Sequence, residues 1–278
     1  MYDDLCKFKR GVFVSSVSTA ISGVYVSPSV LPVFNQYLSC AAAKELLSSD
    51  NVVKPLFIEA TRDQNFAETQ SFFNKNYKPT KLKILIPESH LRTNEGLGDL
   101  VFEIFNAKKR FVAQQAYLMK EAAAGNLSMD AFARSTEINE LNNAHEHAEL
   151  RRECQALKLP PDEVVDHLKD KPREVALFAQ DTDCHTDIYR ADWIDLYQAA
   201  YCAQHPSDTR SCKAGKNELC DRNQLLGMPE QKRNKIYKER ICRMFADAHQ
   251  DVKSDFVYQK FVKNHCPKSQ KERTQTEL

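Results

Sequence analysis

Residues 81–124 read KLKILIPESHLRTNEGLGDLVFEIFNAKKRFVAQQAYLMKEAAA, and this stretch decides the fold. Its first residues alternate between polar and apolar before they become apolar, which predicts a strand that ends at Pro87. From Gly98 the apolar residues recur at steps of three and four, which predicts one long helix to Ala124. Gly125 then predicts the end of that helix. The segment therefore predicts a strand that is followed by a helix.

The sequence before this segment predicts further strands. Residues 11–15 read GVFVS, and residues 23–27 repeat the pattern as GVYVS twelve positions later. β-Branched and aromatic side chains favour strands, so both stretches are predicted strands that could pair as a hairpin. Residues 54–60 predict another strand, whereas residues 33–48 and 63–76 predict helices.

The sequence after this segment predicts helices. Ser128 is placed to cap a second long helix over residues 129–158, which would end before Pro160 and Pro161. Further helical patterns follow at residues 161–170, 187–204, 216–226, 229–249 and 252–264. The predicted fold class is therefore α+β and predominantly helical, with a small N-terminal sheet followed by a helical body.

Prolines and polar stretches predict the domain organisation. We expect residues 1–158 to form the small sheet with the two long helices, and residues 161–266 to form a helical part that contains most of the cysteines. The Pro160–Pro161 pair and the polar residues 179–186 are the predicted boundaries. Residues 267–278 are polar and are expected to form a flexible tail.

The composition argues against several classes of protein. The chain has only seven glycines among 278 residues, and no set of them fits G-x-G-x-x-G or G-x-x-x-x-G-K-[ST], so we expect no nucleotide cofactor. The net charge of +1 is too small for a general binder of nucleic acids or membrane surfaces. The sequence has no long uncharged apolar run, so we expect no membrane span. The nucleophile elbow G-x-S-x-G of serine hydrolases is also absent.

The nine cysteines leave three interpretations open. An odd number with wide spacings favours reduced thiols. Disulfides in the late half of the chain are the second interpretation, with Cys202–Cys212 or Cys212–Cys220 as candidate pairs. The third is a zinc site, because Cys202, His205, Cys212 and Cys220 supply donor atoms for tetrahedral coordination. The paired Cys-x-x-Cys pattern that would strengthen this interpretation is missing.

The N-terminus bears on the cellular compartment. Basic residues at 7–10 precede a serine-rich apolar stretch over residues 11–34, and cleavage after Ala20 would remove Cys6 and leave eight cysteines. Serines interrupt this stretch and Asp3 lies in the region that should be positive, which argues against a cleaved signal peptide. A serine-rich N-terminus is also found in bacterial injected proteins. We expect a secreted or host-injected protein, with the cytoplasm as the alternative.

The helix residues VFEIFNA, at 101–107, resemble the active-site helix of zincin metallopeptidases, which follows a strand and carries H-E-x-x-H. In zincins the two histidines bind zinc and the glutamate activates the metal-bound water. The matching positions here are Phe102, Glu103 and Asn106, so both metal-binding histidines are missing. Phenylalanine cannot bind zinc and an asparagine amide is a poor ligand for it. The resemblance therefore implies a degenerate core in which Glu103 and Asn106 hold helices together by hydrogen bonds.

The next predicted helix adds acidic and imidazole side chains. Glu137 and Glu140 lie where the resemblance, which covers residues 98–150, would place the third ligand of a glutamate zincin. His147 lies two turns from Glu140 on one helix face, and Glu103 could approach it from the neighbouring helix. Such a carboxylate–imidazole cluster could bind a metal or serve as acid and base. The alternative is a solvated, charged helix face.

A basic helix offers a different function. Residues 230–243 combine an apolar stripe with six cations, which are Lys232, Arg233, Lys235, Lys238, Arg240 and Arg243. Such a helix can contact nucleic-acid phosphates. More often it is a surface helix whose apolar side packs in the core.

The sequence favours a function by macromolecular binding. We expect a bacterial secreted or injected effector that binds a protein partner through a degenerate, non-hydrolytic metallopeptidase-like core. The expected site lies between the two long helices and consists of Glu103, Asn106, Glu137, Glu140 and His147. The enzymatic alternative is a metal-dependent hydrolase with unusual ligands, and the third is a nucleic-acid-binding module. The expected cofactor is none, or zinc.

Overall fold

Five strands form one mixed sheet in a computed structural model that describes residues 17–18, 21–64, 66–159 and 171–266. The strands are β1 (Val17–Ser18), β2 (Val24–Val26), β3 (Leu56–Thr61), β4 (Glu68–Phe73) and β5 (Pro79–Pro87). Their order in the sheet is β1-β2-β3-β5-β4. The three central strands are parallel, and the two edge strands run antiparallel to their neighbours.

One face of this sheet is buried because successive side chains of the central strands point to opposite faces. Val26, Ile58 and Ile84 lie in one row across the sheet and are fully buried. Tyr25 and Phe57 lie on the opposite face, where their rings stack at 5.0 Å. The alternation directs one apolar face of each central strand into the core, where branched side chains pack well.

Helices form most of the remaining described chain, so the predicted fold class is confirmed. The first five are α1 (Leu31–Leu38), α2 (Ala41–Ser48), α3 (Glu95–Asn106), α4 (Lys109–Ala123) and α5 (Met129–Glu153). The later ones are α6 (Arg173–Thr182), α7 (His185–Leu196), α8 (Gln198–Gln204), α9 (Thr209–Lys213), α10 (Arg222–Leu226), α11 (Glu230–Phe245), α12 (Gln250–Ser254) and α13 (Phe256–His265). Short 3-10 turns lie at His90–Arg92, Gln155–Leu157 and Lys216–Glu218.

The chain divides into two compact units. The first unit combines Met1–Val112 with Glu149–Pro161, and the second combines Ala113–Ala148 with Asp162–Leu278. The division near residue 161 lies close to the predicted Pro160–Pro161 boundary, but the residues around 113–148 belong with the late part of the chain. The other predicted boundary, residues 179–186, begins inside α6.

Each unit has its own apolar core. In the first unit, the buried face of the sheet packs with residues of α1 and α3, among them Phe34 and Leu100. In the second unit, Trp193 is fully buried beside Phe132 and Tyr201. The Trp193 indole donates a hydrogen bond to the backbone oxygen of Leu127 at 3.0 Å, so this large ring is buried without an unsatisfied donor.

The predicted helix over residues 63–76 is wrong, because this segment contains strand β4. Glu68–Phe73 pairs with β5, and a tight turn joins the two strands. In that turn the Asn74 side chain accepts hydrogen bonds from the backbone N–H groups of Asn76 and Lys78. The turn and the pairing with an apolar neighbour strand outweigh the weak helical pattern, as is usual when tertiary contacts oppose local propensity.

Two predicted long helices are each divided. Residues 33–48 form α1 and α2, which are separated at Ser39 and Cys40. Residues 98–124 form α3 and α4 because the chain between them bonds to another segment, with the Val53 N–H donating to the Ala107 oxygen at 2.9 Å. The predicted start of α5 is confirmed, since the Ser128 hydroxyl accepts a hydrogen bond from the Ala131 N–H at 3.2 Å.

Eight cysteines form four disulfides, so the interpretation as reduced thiols is wrong. The pairs are Cys40–Cys154, Cys184–Cys220, Cys202–Cys212 and Cys242–Cys266, with Cα–Cα distances of 5.4–5.6 Å. The ninth cysteine, Cys6, lies outside the described residues, as does the first of the two predicted hairpin strands. Four disulfides indicate an oxidising compartment. In the described part of the chain, no helix combines the length and apolar character that a bilayer span requires.

We expect the Cys40–Cys154 disulfide of the first unit to stabilise the protein more than Cys202–Cys212 does. It closes a loop of 114 residues, whereas Cys202–Cys212 closes only 10. Replacing Cys40 and Cys154 by serine should lower the free energy of unfolding by about 2–5 kcal/mol, because the unfolded chain regains the entropy of a long loop. Urea unfolding without reductant measures this loss. The matched control, Cys202→Ser with Cys212→Ser, should lose less, and an equal or larger loss would contradict the loop-length argument.

Candidate functional site

Two groups of candidate side chains lie in different units. Glu103 and Asn106 belong to the first unit, and Glu137, Glu140 and His147 belong to the second. Each group is therefore considered within its own unit.

In the first unit the Glu103 carboxylate joins helix α3 to strand β4. The side chain is buried, with 5% of its surface exposed. Its Oε2 accepts hydrogen bonds from the Thr69 hydroxyl at 2.7 Å and from the Asn106 amide at 3.2 Å. Thr69 reaches α3 because it pairs with Ile84, whose side chain lies on the buried face of the sheet. These two hydrogen bonds satisfy Oε2 of a carboxylate that is costly to bury without donors.

These residues do not fit the zinc centre that the zincin resemblance implies. The first histidine position holds Phe102, which offers no donor atom to a metal, and the second holds Asn106, whose amide nitrogen donates to Glu103. A histidine-rich zinc site cannot form from this pair. The sequence predicted that Glu103 and Asn106 hold two helices together, whereas the hydrogen bonds described here join α3 to the edge strand β4.

In the second unit Glu137 and Glu140 meet His185. The His185 Nδ1 lies 2.7 Å from Oε1 of Glu137, and its Nε2 lies 3.7 Å from Oε2 of Glu140. The Thr186 hydroxyl donates a further hydrogen bond to Oε1 of Glu137 at 3.0 Å. The side chain of Glu137 is only 1% exposed, whereas those of Glu140 and His185 are 14% and 16% exposed. The group is thus a half-open pair of carboxylates around one imidazole.

Local structure explains why these three side chains converge. Glu137 and Glu140 are three residues apart on α5 and therefore lie on one helix face. His185 is the first residue of α7, directly after Cys184, which has a left-handed backbone (φ 71°) and is joined to Cys220. The His185 backbone N–H also donates to Oδ1 of Asp183 at 3.0 Å. The disulfide and this bond set the start of α7 and hence the direction of the imidazole.

Electrostatic interactions in this group favour a positive charge on His185. Burial lowers the pKa of His185, but the negative charge and hydrogen bond of Glu137 outweigh burial and raise it to about 9. Burial raises the pKa of Glu140 above its ordinary value, although the His185 charge and a hydrogen bond with Tyr189 oppose that rise. A second cation, Arg222, also acts on this group, and its positive charge lowers the pKa of both Glu140 and His185.

The sequence identified two of these three side chains. Glu137 and Glu140 were predicted site residues, but the imidazole that bonds to Glu137 comes from His185, 48 residues further along the chain. His147, the predicted imidazole, is buried on α5 with 1% exposure. Helical periodicity relates residues of one helix, and no sequence pattern relates α5 to the start of α7.

The predicted zinc set of Cys202, His205, Cys212 and Cys220 is replaced by disulfides. Cys202 pairs with Cys212, and Cys220 pairs with Cys184, so these sulfur atoms are not thiolates that could bind zinc. The His205 ring stacks on Tyr201 at 4.2 Å, and its Nδ1 lies 3.0 Å from the Tyr201 backbone oxygen. The prediction was wrong because spacing alone cannot separate zinc ligands from disulfide partners.

In the basic helix α11, the side chain of Arg240 bonds to other residues of the protein. Arg240 bonds to Oδ2 of Asp187 at 3.0 Å and also donates to the backbone oxygen of Asp181. Its side chain lines a cleft of about 860 Å³ in the second unit. Ile241 and Phe245 of the same helix pack against an apolar cluster. These contacts give α11 a structural role within its unit.

Comparison of the chain with protein-family models, with curated proteins and with solved structures finds no match. The functional argument therefore depends on the two groups of side chains and on the fold that positions them.

The bond between Thr69 and Glu103 is expected to be structural. Thr69→Val removes the hydroxyl with little change in shape, and it should lower the free energy of unfolding by about 1.5–3 kcal/mol because a buried carboxylate loses a donor. Urea unfolding followed by circular dichroism measures the loss. Thr69→Ser keeps the hydroxyl and is the control, so it should lose less than Thr69→Val. Equal losses in the two variants would show that the hydroxyl does not matter.

Proposed function

We propose that this protein is a secreted effector that acts by binding another protein, and that its zincin-like core does not hydrolyse peptides. The observation that carries the proposal is the engagement of Oε2 of Glu103 by Thr69 and Asn106. A general base in a metallopeptidase needs its carboxylate directed at a metal-bound water. Here two donors hold that oxygen, and the position before it is Phe102. The four disulfides support action in an oxidising compartment.

The surface that best suits such binding is the edge strand β4. Among the described strands, β4 pairs with β5 alone, so its second side is at the edge of the sheet. Its six residues contain no proline and a single charge, Glu68, and its pairing is regular until Phe72. Natural edge strands usually carry lysines, prolines or bulges that prevent pairing, and of these features β4 has only the register shift between Phe72 and Phe73. The opposite edge strand, β1, has only two residues.

The partner segment that fits this edge is an extended peptide. A strand of the partner would pair with the outward backbone groups of β4 and continue the sheet, which is the usual mode of strand addition. Main-chain hydrogen bonds would supply the affinity. The half-buried side chains of Gln70 and Phe72 would contact alternate side chains of the peptide, since they lie on one face of the strand.

A pair of proline variants tests this surface. In an antiparallel strand successive residues direct their backbone groups to opposite sides, so one of Gln70 and Ser71 pairs with β5 and the other is directed outward. Gln70→Pro and Ser71→Pro should therefore differ: one should lose stability, and the other should stay folded. The probe is a set of peptides selected from a displayed random library against the wild-type protein. The folded variant should bind them at least about tenfold more weakly, because it lacks an outward N–H donor.

Two outcomes would refute the strand-addition proposal. One is that no peptide is selected by the wild-type protein. The other is that the stable proline variant binds the selected peptides as tightly as the wild type does. Thermal unfolding of both variants identifies which residue is directed outward, so the stability loss and the binding loss are measured separately.

Peptide turnover tests the non-hydrolytic core. The purified protein should show no cleavage of a quenched-fluorescent peptide library, with or without added Zn²⁺, and Glu103→Gln should have the same background. Glu103→Gln should nevertheless be less stable than the wild type, because an uncharged amide is a weaker acceptor for Thr69. Cleavage by the wild type that disappears in Glu103→Gln would overturn the proposal.

A further inference from the structure

We propose that Glu137, Glu140 and His185 bind a divalent transition-metal ion in the second unit. Each of them offers one donor atom, and the three donor atoms lie within 4.8 Å of one another. Zinc lies about 2.0–2.2 Å from imidazole nitrogen and carboxylate oxygen donors, so two donors on one ion are at most about 4.4 Å apart, and the three side chains need to close only slightly to hold it. Both carboxylates come from the same turn of α5, and the imidazole comes from the start of α7.

An unsatisfied oxygen is the independent reason to expect a cation. Oε2 of Glu137 is buried and has no hydrogen-bond partner, although Oε1 of the same carboxylate bonds to His185 and Thr186. Leaving a buried carboxylate oxygen without a partner is costly, and native proteins seldom do so. Oε2 belongs to the carboxylate whose other oxygen contacts His185, so a cation bound by this carboxylate would satisfy it.

His185 faces both carboxylates with its two ring nitrogens. Its Nδ1 lies 2.7 Å from Oε1 of Glu137, and its Nε2 lies 3.7 Å from Oε2 of Glu140. A ring nitrogen binds a metal ion only without its proton, so the ion would replace the proton between His185 and Glu137. In that position the ion lies against the Glu137 carboxylate, whose second oxygen has no hydrogen-bond partner.

The donor set indicates the kind of ion. One imidazole with two carboxylates suits Zn²⁺, Mn²⁺ or Fe²⁺, whereas calcium and magnesium sites are built from oxygen donors alone. Three protein ligands leave room for water, and the partial exposure of Glu140 and His185 gives the ion a route from solvent. The competing explanation is that a proton on His185 fills the role of the cation and the group is only a buried ion pair.

This site does not involve Glu103, Asn106 or the edge strand β4, on which the binding proposal rests. Its three residues lie in the second unit, whereas Glu103 and β4 lie in the first. The cysteines next to it, Cys184 and Cys220, are joined to each other and are not ligands. Metal binding can therefore fail while peptide binding succeeds, and the reverse also holds.

Calorimetric titration with Zn²⁺, and separately with Mn²⁺, tests the proposal. The full chain is used without an affinity tag, with its disulfides intact, after dialysis against a chelator that is then removed. The wild type should bind one of the two ions with a stoichiometry near one. Glu140→Gln and His185→Asn should each bind that ion at least about tenfold more weakly, since each variant loses a donor atom.

The control variant is His205→Asn, which removes an imidazole that lies outside the cluster and should leave the affinity unchanged. Thermal unfolding gives a second readout: the bound ion should raise the Tm of the wild type and of the control but not of Glu140→Gln. This comparison is valid even if one cluster variant is less stable, because each protein is compared with itself. A wild type that binds neither ion, or cluster variants that bind as tightly as the wild type, would establish the protonated ion pair instead.

Discussion

The hydrogen bond from Thr69 to Glu103 joins the edge of the sheet to helix α3, and much of the first unit depends on it. A carboxylate that is 5% exposed is tolerated only when donors surround it, so β4 must lie where its threonine can reach α3. The same bond occupies an oxygen that a metallopeptidase would direct at water. One contact thus joins β4 to α3 and supports the binding role that we propose for this core.

The second unit also buries a carboxylate, that of Glu137, which needs hydrogen-bond donors or a cation around it. Glu137 uses one oxygen for His185 and Thr186 and leaves the other without a partner. The surrounding structure is rigid at this point because the Cys184–Cys220 disulfide precedes His185. Oε2 of Glu103 accepts two hydrogen bonds, whereas Oε2 of Glu137 accepts none, so the second unit is the better place to look for a bound ion.

Sequence predictions that depend on local interactions were correct, whereas several that depend on contacts between distant residues were wrong. The strand that ends at Pro87 and the Ser128 cap were correct, because alternation and capping are local properties. Residues 63–76 were wrongly predicted as a helix. Strand β4, which lies there, is stabilised by its pairing with β5 and by the Asn74 turn, and a local helical pattern shows neither of them. Reduced thiols were favoured because the number of cysteines is odd and their spacings are wide. Of the two candidate disulfides, Cys202–Cys212 is present and Cys212–Cys220 is not.

The sequence by itself determined the fold class, and it showed that no glycine set fits a nucleotide-binding loop and that the segment resembling H-E-x-x-H has no histidine, since these are properties of residue types and of short spacings. It also identified Glu137 and Glu140 as candidates. Only the tertiary structure decided that His185 joins them, that Thr69 holds Glu103, and that eight cysteines form four disulfides. The physical reason is that each of these contacts links residues distant in the chain, and burial in the folded protein determines which distant groups must satisfy one another.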